Sequence, residues 1–353
     1  MSFEFLVITQ NSKLKTMSTH TDISASVPQS KVRAFGLIDS QLRRVKELIN
    51  EQLTAPAESG DINQLLEHVR GRSGKMIRPG LVLLAGSCCG KITDEHIRVA
   101  AIVEMTHNAT LLHDDVIDEG QKRRGRPTIN NLLGNEAAVL LGDFLLSRVF
   151  KMCAGLEPQA AKVIAGAAVR VCEGELRQIA QRRNWQLSES EYIDIITEKS
   201  AVLFSSACRL GALLAQGTDA KTRSLAEFGL NAGVAFQITD DLLDIIGDES
   251  KTGKTLGSDV DKHKLTLAVI HLLRAVDERK KEAVINSYIE RKDVQYDKDA
   301  LAEMLGRYGS LEYAHGRAQE FVTRAVGALG SLKESDAKNA LIETAKFMAR
   351  RIT

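Results

Sequence analysis

Two groups of aspartates share one spacing. Asp114, Asp115 and Asp118 lie in Leu111-Leu112-His113-Asp114-Asp115-Val116-Ile117-Asp118, and Asp240, Asp241 and Asp244 lie in Phe236-Gln237-Ile238-Thr239-Asp240-Asp241-Leu242-Leu243-Asp244. On a helix the first and last member of each group share a face, while the middle one is rotated by about 100°. Carboxylates placed this way repel each other unless cations compensate them. Two such helices facing one another could hold several Mg²⁺ ions, with a diphosphate supplying further oxygens. A calcium loop is a poor match, because its alternating oxygen ligands and its required glycine are missing.

A polyanion held there also needs cationic contacts. Lys75 and Arg78 fall one helical turn apart in Gly74-Lys75-Met76-Ile77-Arg78-Pro79, and Gln121-Lys122-Arg123-Arg124-Gly125-Arg126-Pro127 closely follows the first acidic group. Arginine presents a fork of donors suited to phosphate oxygens, and lysine a mobile ammonium. Taken alone, either stretch reads as a solvated surface patch. Lys75 does not mark a nucleotide P-loop, since the glycine spacing and the following Ser or Thr are absent. His107 lies seven residues before Asp114, nearly two turns, and so keeps to the same face, where its imidazole could donate to a phosphate oxygen. His113 should point elsewhere, where packing or support of a neighbouring group suffices.

Long helices must carry these groups. Leu37, Ile38, Leu42, Val45 and Leu48 recur at helical intervals. Helices are then predicted over Ile77–Ala85, Ile97–Leu112, Ala137–Cys153, Ala160–Arg183, Ser188–Leu214 and Thr222–Ile246, some of them divided or kinked. The later ones are Leu301–Met304, Leu311–Leu329 and Ala337–Arg351. Pro56 with Gly60-Asp61 and Cys88-Cys89-Gly90 interrupt the pattern, and Pro79 suits a helix start. No run of alternating strands emerges, so an all-α bundle is expected over residues 31–353. Residues 1–30, rich in Ser, Thr and Lys from Asn11 on, read as a flexible tail, with Met17 a second possible start.

Composition bounds the reading. Apolar residues make up 44% of 353 and charged residues 26%, and a net charge of +1 argues against a broadly basic nucleic-acid surface. Cys88, Cys89, Cys153, Cys172 and Cys208 show neither paired zinc spacing nor a secreted disulfide framework. Phe3–Ile8 is too short to span a membrane and lacks the basic leader of a signal peptide. A cytoplasmic enzyme is the simplest placement.

At these residues the chain resembles the trans-isoprenyl diphosphate synthases, particularly the long-chain octaprenyl and decaprenyl diphosphate synthases. The resemblance runs from about Leu37 to the C-terminus. It rests on Glu104-Met105-Thr106-His107, on the two aspartate stretches, on Arg123-Arg124-Gly125 and on Lys199-Ser200. It implies the isoprenoid-synthase helical bundle around a central substrate cavity. Asp114, Asp118 and Asp240 would be the leading Mg²⁺ ligands, assisted by Asp115, Asp241 and Asp244, with about three ions present when diphosphate is bound. Lys75, Arg78, His107 and Arg124 would hold the diphosphate of isopentenyl diphosphate. Arg123, Lys199 and Lys264 would support the allylic diphosphate, with Ser200 as a polar contact, Gln237 and Phe236 beside the substrate and Lys254 nearby. Two positions depart from the family pattern. Ser73-Gly74-Lys75 replaces Gly-Gly-Lys, and Ser200 stands where Thr is common, keeping the hydroxyl.

The implied reaction is repeated condensation of isopentenyl diphosphate with an allylic diphosphate such as farnesyl diphosphate. Positions one turn and more before Asp114 border the growing tail if it runs beside that helix. They are Ala109 and Thr110, then Thr106 and Val103, none of them aromatic. A product of about C40 to C50 is expected in a largely apolar channel, for quinone side chains. The resemblance also implies a homodimer, with peripheral membrane association left open for product release. The alternatives are a shorter-chain geranylgeranyl-type synthase, a terpene cyclase, or a partner subunit of a heteromeric synthase. A cyclase would not normally repeat the acidic group, and two intact groups disfavour a noncatalytic subunit.

Overall fold

The computed structural model describes residues 34–56, 59–70, 74–247, 257–289 and 298–350. The expected N-terminal tail, Met17, Ser73 and Lys254 lie outside the described residues. The chain runs α1 (Asp39–Gln52), α2 (Gly60–Glu67), α3 (Ile77–Cys89), α4 (Asp94–Ile117), a hairpin of β1 (Lys122–Arg123) and β2 (Arg126–Pro127), then α5 (Ile129–Leu133), α6 (Asn135–Cys153) and α7 (Pro158–Ala180). It continues through α8 (Glu189–Ile196), a π turn (Thr197–Ala201), α9 (Val202–Leu214), α10 (Asp219–Ile246) and α11 (Ser258–Asp261). The last elements are α12 (Leu267–Ala275), α13 (Glu278–Ile289), α14 (Lys298–Arg307), α15 (Ser310–Ala328) and α16 (Asp336–Ala349). The all-α expectation holds, with the short hairpin as its one addition among the described residues.

The central layer is formed by helices apolar on nearly every side. Val99 to Thr106 of α4 and Ile77 to Gly86 of α3 are buried throughout, as helices surrounded by other helices must be. Helix α9 packs along α3 and α10, α4 along α6, and α10 against α15. The start of α4 is pinned by His96. Its Nδ1 accepts from the Thr93 N–H at 3.1 Å, and its Nε2 meets the Gly211 carbonyl of α9 at 3.2 Å. One neutral tautomer satisfies both bonds, and burial lowers the imidazole pKa in keeping with it.

The helical stretch expected from Ser188 to Leu214 is divided into two helices joined by a π turn, in which the Val202 N–H bonds back to the Thr197 carbonyl. The turn packs on α7 at Gly174, where any Cβ would stand 2.4 Å from the Lys199 nitrogen. A glycine is therefore required for α7 to approach so closely. Among the described residues, no helix is long and apolar enough to cross a membrane.

Candidate active site

The first acidic group occupies the last turn of α4 and the residue just after it. Asp115 is 5% exposed, and Arg123 closes on its Oδ1 with Nε at 2.8 Å and NH2 at 2.7 Å. Asp118 takes Lys264 Nζ on Oδ2 at 2.8 Å and Arg182 NH2 on Oδ1 at 3.4 Å. Burial pushes the Asp114 carboxyl up to about 6, with Glu175 and Asp118 adding repulsion while Lys199 and Arg123 pull the other way. A carboxyl in that condition calls for an arriving cation.

The second group lies near the C-terminal end of α10. Asp241 is 9% exposed and is held by neutral donors: Tyr192 Oη gives to Oδ2 at 2.6 Å and Gln237 Nε2 to Oδ1 at 2.7 Å. Burial and the nearby Asp259 push its carboxyl up to about 7, against both hydrogen bonds. Asp244 Oδ2 accepts from the Asp259 N–H at 3.1 Å, and Asp240, one position ahead of Asp241, is half-buried. The two groups are brought to one place. Lys264 lies between Asp118 of the first and Asp259, which is bonded to Asp244 of the second, and Arg123 feels Asp115, Asp114 and Asp240 together.

The π turn delivers Lys199 and Ser200 to the same place. Lys199 Nζ contacts Glu175 Oε2 at 2.6 Å and Gln178 Oε1 at 2.7 Å. Burial opposes its charge, but Asp114, Glu175 and Asp118 outweigh it and raise the ammonium pKa. Ser200 Oγ donates to Gln237 Oε1 at 2.5 Å, so one chain of bonds runs from Ser200 through Gln237 and Asp241 to Tyr192.

The cationic side of the site is built by α3 and the hairpin. In the hairpin, Arg124 and Gly125 both have positive φ, 54° and 74°, the pattern of a type I′ turn. That geometry sends Arg123 to the aspartates and Arg124 back onto Gly74, where a Cβ would lie 2.4 Å from the guanidinium. Arg78 is buried over the Phe204 ring at 4.4 Å, and Phe204 meets Phe236 at 5.3 Å. Burial lowers the Arg78 pKa to about 10, with Glu104 opposing and Arg124 assisting, and the Nε of Arg78 has no partner. Glu104, 2% exposed, sits beside Arg78 and Arg124 as their counter-charge. Burial, then Arg78, Arg124 and Arg123, hold the His107 imidazole well below its ordinary pKa, so it is neutral there. Lys75 Nζ stands 5.9 Å over the Phe347 ring.

His113 points away, its Nε2 toward the Val139 carbonyl at 3.2 Å and Asp143 Oδ1 at 3.4 Å. Of the positions before Asp114, Ala109 is 0% exposed, Thr106 and Val103 are buried, and only Thr110 is half-buried. The hydroxyls of Thr106 and Thr110 are turned onto their own helix, at Ile102 O and His107 O.

Glu104, Glu175, Gln178, Arg182, Tyr192 and Asp259 belong to this constellation and were not given roles by the sequence reading. The signal for three of them was present: Glu175, Gln178 and Arg182 follow one another at three- and four-residue steps along one face. Among the described residues no closed cage of acidic or imidazole groups is preassembled for a metal. The donors nonetheless suit Mg²⁺, being carboxylate oxygens throughout, and a bound diphosphate could supply further oxygens.

The polyprenyl synthetase family model matches residues 60–305. A short chain isoprenyl diphosphate synthase of Methanothermobacter thermautotrophicus is 34% identical over 318 residues, 88% of this chain and 97% of that protein. An octaprenyl diphosphate synthase of Haemophilus influenzae is 36% identical over 316 residues, 89% and 95% of the two chains. Among solved structures, a polyprenyl synthase from Caulobacter crescentus, complexed with calcium and isoprenyl diphosphate, superposes with a TM-score of 0.86 at 32% identity, covering 91% of this chain and 98% of that one. The chain belongs to the polyprenyl synthetase family. It is a magnesium-dependent prenyltransferase of the isoprenoid-synthase fold, a polyprenyl diphosphate synthase that condenses isopentenyl diphosphate with an allylic diphosphate.

Proposed function

We propose that this member of the polyprenyl synthetase family makes a long-chain trans-polyprenyl diphosphate of about C40 to C50, for the side chain of a quinone. The observation that carries this reading is the absence of any aromatic side chain at Thr110, Ala109, Thr106 and Val103, the positions before Asp114 on α4. Thr110 is the least buried of these four. A bulky ring at that position would meet a passing tail first.

Asp114, Asp118, Asp240 and Asp244 would hold Mg²⁺, with Asp115 and Asp241 as anchored supports. When bound, the metal neutralises charge on the leaving diphosphate and so assists departure of the allylic group. Lys199, Arg123 and Lys264 supply fixed positive charge to the same diphosphate. Arg78, Arg124 and Lys75 would receive isopentenyl diphosphate, with Glu104 keeping the two arginines oriented while that site is empty of anion. His107, held neutral, can donate one hydrogen bond to a phosphate oxygen without adding charge. Gln237 and Ser200 orient the allylic end, and Phe236 shields it from water. Lys254, outside the described residues, is assigned here to the same diphosphate.

The chain is also proposed to act as a homodimer. Leu140 and Phe150 on α6 and Val169 and Leu176 on α7 are large, apolar and more than half exposed, an arrangement suited to a second copy. Peripheral attachment to a membrane would serve release of an apolar product. The shorter-chain reading is favoured by one observation, the similarity to a short chain synthase. One assay separates the two: purified protein with farnesyl diphosphate, isopentenyl diphosphate and Mg²⁺, followed by chain-length analysis. Products ending near C40 to C50 support the proposal, whereas products ending near C20 overturn it in favour of the shorter reading.

A further inference from the structure

Tyr192 is buried on the same face of α8 as Ile195 and Ile196. Its hydroxyl has a more specific setting. It donates to Asp241 Oδ2 at 2.6 Å from a residue only 3% exposed. A buried phenol without such a partner would be costly, and phenylalanine would pack here equally well if packing were the only demand.

The helix that carries Tyr192 is itself firmly placed. Ser188 and Glu191 form a reciprocal cap, with Ser188 Oγ accepting from the Glu191 N–H at 3.2 Å and the Glu191 carboxylate accepting from the Ser188 N–H at 2.7 Å. Glu189 then binds Arg317 Nε at 2.7 Å and the Tyr313 hydroxyl, fixing the start of α8 to α15. Tyr192 thus reaches Asp241 from a support that does not depend on substrate.

We propose that Tyr192 is a positioning residue for prenyl transfer: its hydroxyl, with Gln237, anchors Asp241 and so sets the rotation of the second acidic group, leaving Asp240 to meet the metal-bound allylic diphosphate. The first acidic group achieves the same end differently, since Asp115 is anchored by a cation, Arg123. A neutral anchor at Asp241 gives that carboxylate no cation of its own, so the second wall is more dependent on the arriving metal. The bond also reaches Ser200 through Gln237, so loosening Asp241 loosens the allylic end and not the isopentenyl end, whose contacts lie on α3, α4 and the hairpin.

The inference rests on the prenyl-transfer reading above, and the wild-type protein is the control that keeps the two apart. If the wild type fails to elongate, that reading falls; if it elongates and the variant is unaffected, only this inference falls. The test is Tyr192→Phe in the full chain. We expect about a tenfold rise in the Mg²⁺ needed for half-maximal rate and in KM for the allylic substrate, the scale of one hydrogen bond to a charged group. KM for isopentenyl diphosphate and the thermal midpoint should stay near wild type. Unchanged Mg²⁺ and allylic constants, or an equal rise in both substrate KM values with a lowered midpoint, would overturn the proposal. Titration calorimetry with Mg²⁺ and a thio-substituted, non-ionising farnesyl diphosphate analogue gives a readout apart from turnover. The affinity lost in Tyr192→Phe should not be lost again when the change is made on Asp241→Ala, and additive losses would count against the proposal.

Discussion

Lys264 stands 2.8 Å from Asp118 and 3.6 Å from Asp259, and through Asp259 it ties the end of α4 to the end of α10. A lysine side chain only 4% exposed is there for its charge as well as its packing.

Replacing it tests that tie. Lys264→Met should lower kcat by about ten- to a hundredfold, the range for one buried charged contact, and raise KM for the allylic substrate more than for isopentenyl diphosphate. Lys264→Arg should recover part of the loss. Steady-state kinetics on both substrates decides it, and equal effects on the two KM values would remove Lys264 from the allylic side.

The metal-free protein should lose stability as pH rises from about 6.5 to 8. Asp241, pushed up to about 7 by burial, still holds a proton in the folded state where the unfolded chain has lost its own. The folded state therefore binds more protons, and stability falls as pH climbs through the folded value. Asp114, at about 6, contributes the earlier part of this fall. Below about 6.5, His107 and His96 act in the opposite sense, because both are held neutral while the unfolded imidazoles take up protons. Thermal melts at pH 6.5, 7.2 and 8 check this. The decline should flatten in Asp241→Asn and with Mg²⁺ plus diphosphate, which favour the ionised carboxylates.

Gly174→Ala should be felt at the π turn. The added Cβ would need to displace the Lys199 backbone, so a loss of about 1–3 kcal/mol is expected, typical of overpacking. Denaturant melts measure that loss. The allylic KM should rise with it, and an unchanged melt would show that α7 can move aside freely.

Thr110→Phe should shorten the product ladder. The same change at Ala109 meets a wholly buried position, so it should lower the thermal midpoint as well as alter product length. Chain-length analysis of products from both variants, beside their melts, separates a blocked channel from a disturbed core. Full-length product from well-folded Thr110→Phe would remove that residue from the path of the tail.

The helices could be read from the sequence because an amphipathic or all-apolar period survives over many residues, and the bounds of α4, α6, α7 and α10 fall within a few residues of expectation. The hairpin could not, since strands two residues long carry no period; only Arg124-Gly125 hinted at its turn. The aspartates, Lys75, Arg78, His107 and the arginine pair stood out because like charges or basic clusters repeat at short range. Glu175 and Arg182 share a helical face but were given no role, because the charges they answer, Lys199 and Asp118, lie on other elements of the fold. Tyr192 was hidden by its own chemistry, as its ring satisfies the core while its hydroxyl serves the site.

The π turn between α8 and α9 bears on how the protein can be altered. One extra residue in the turn rotates all that follows by about 100° relative to a regular helix. Deleting a single residue from Thr197–Ala201 would give a smoother rod with better backbone bonding, and Lys199 and Ser200 would swing off their partners. A stabilising redesign guided by helix regularity would therefore select against catalysis at this spot. The irregularity is a register mark, and a thermostable version of the enzyme must keep it.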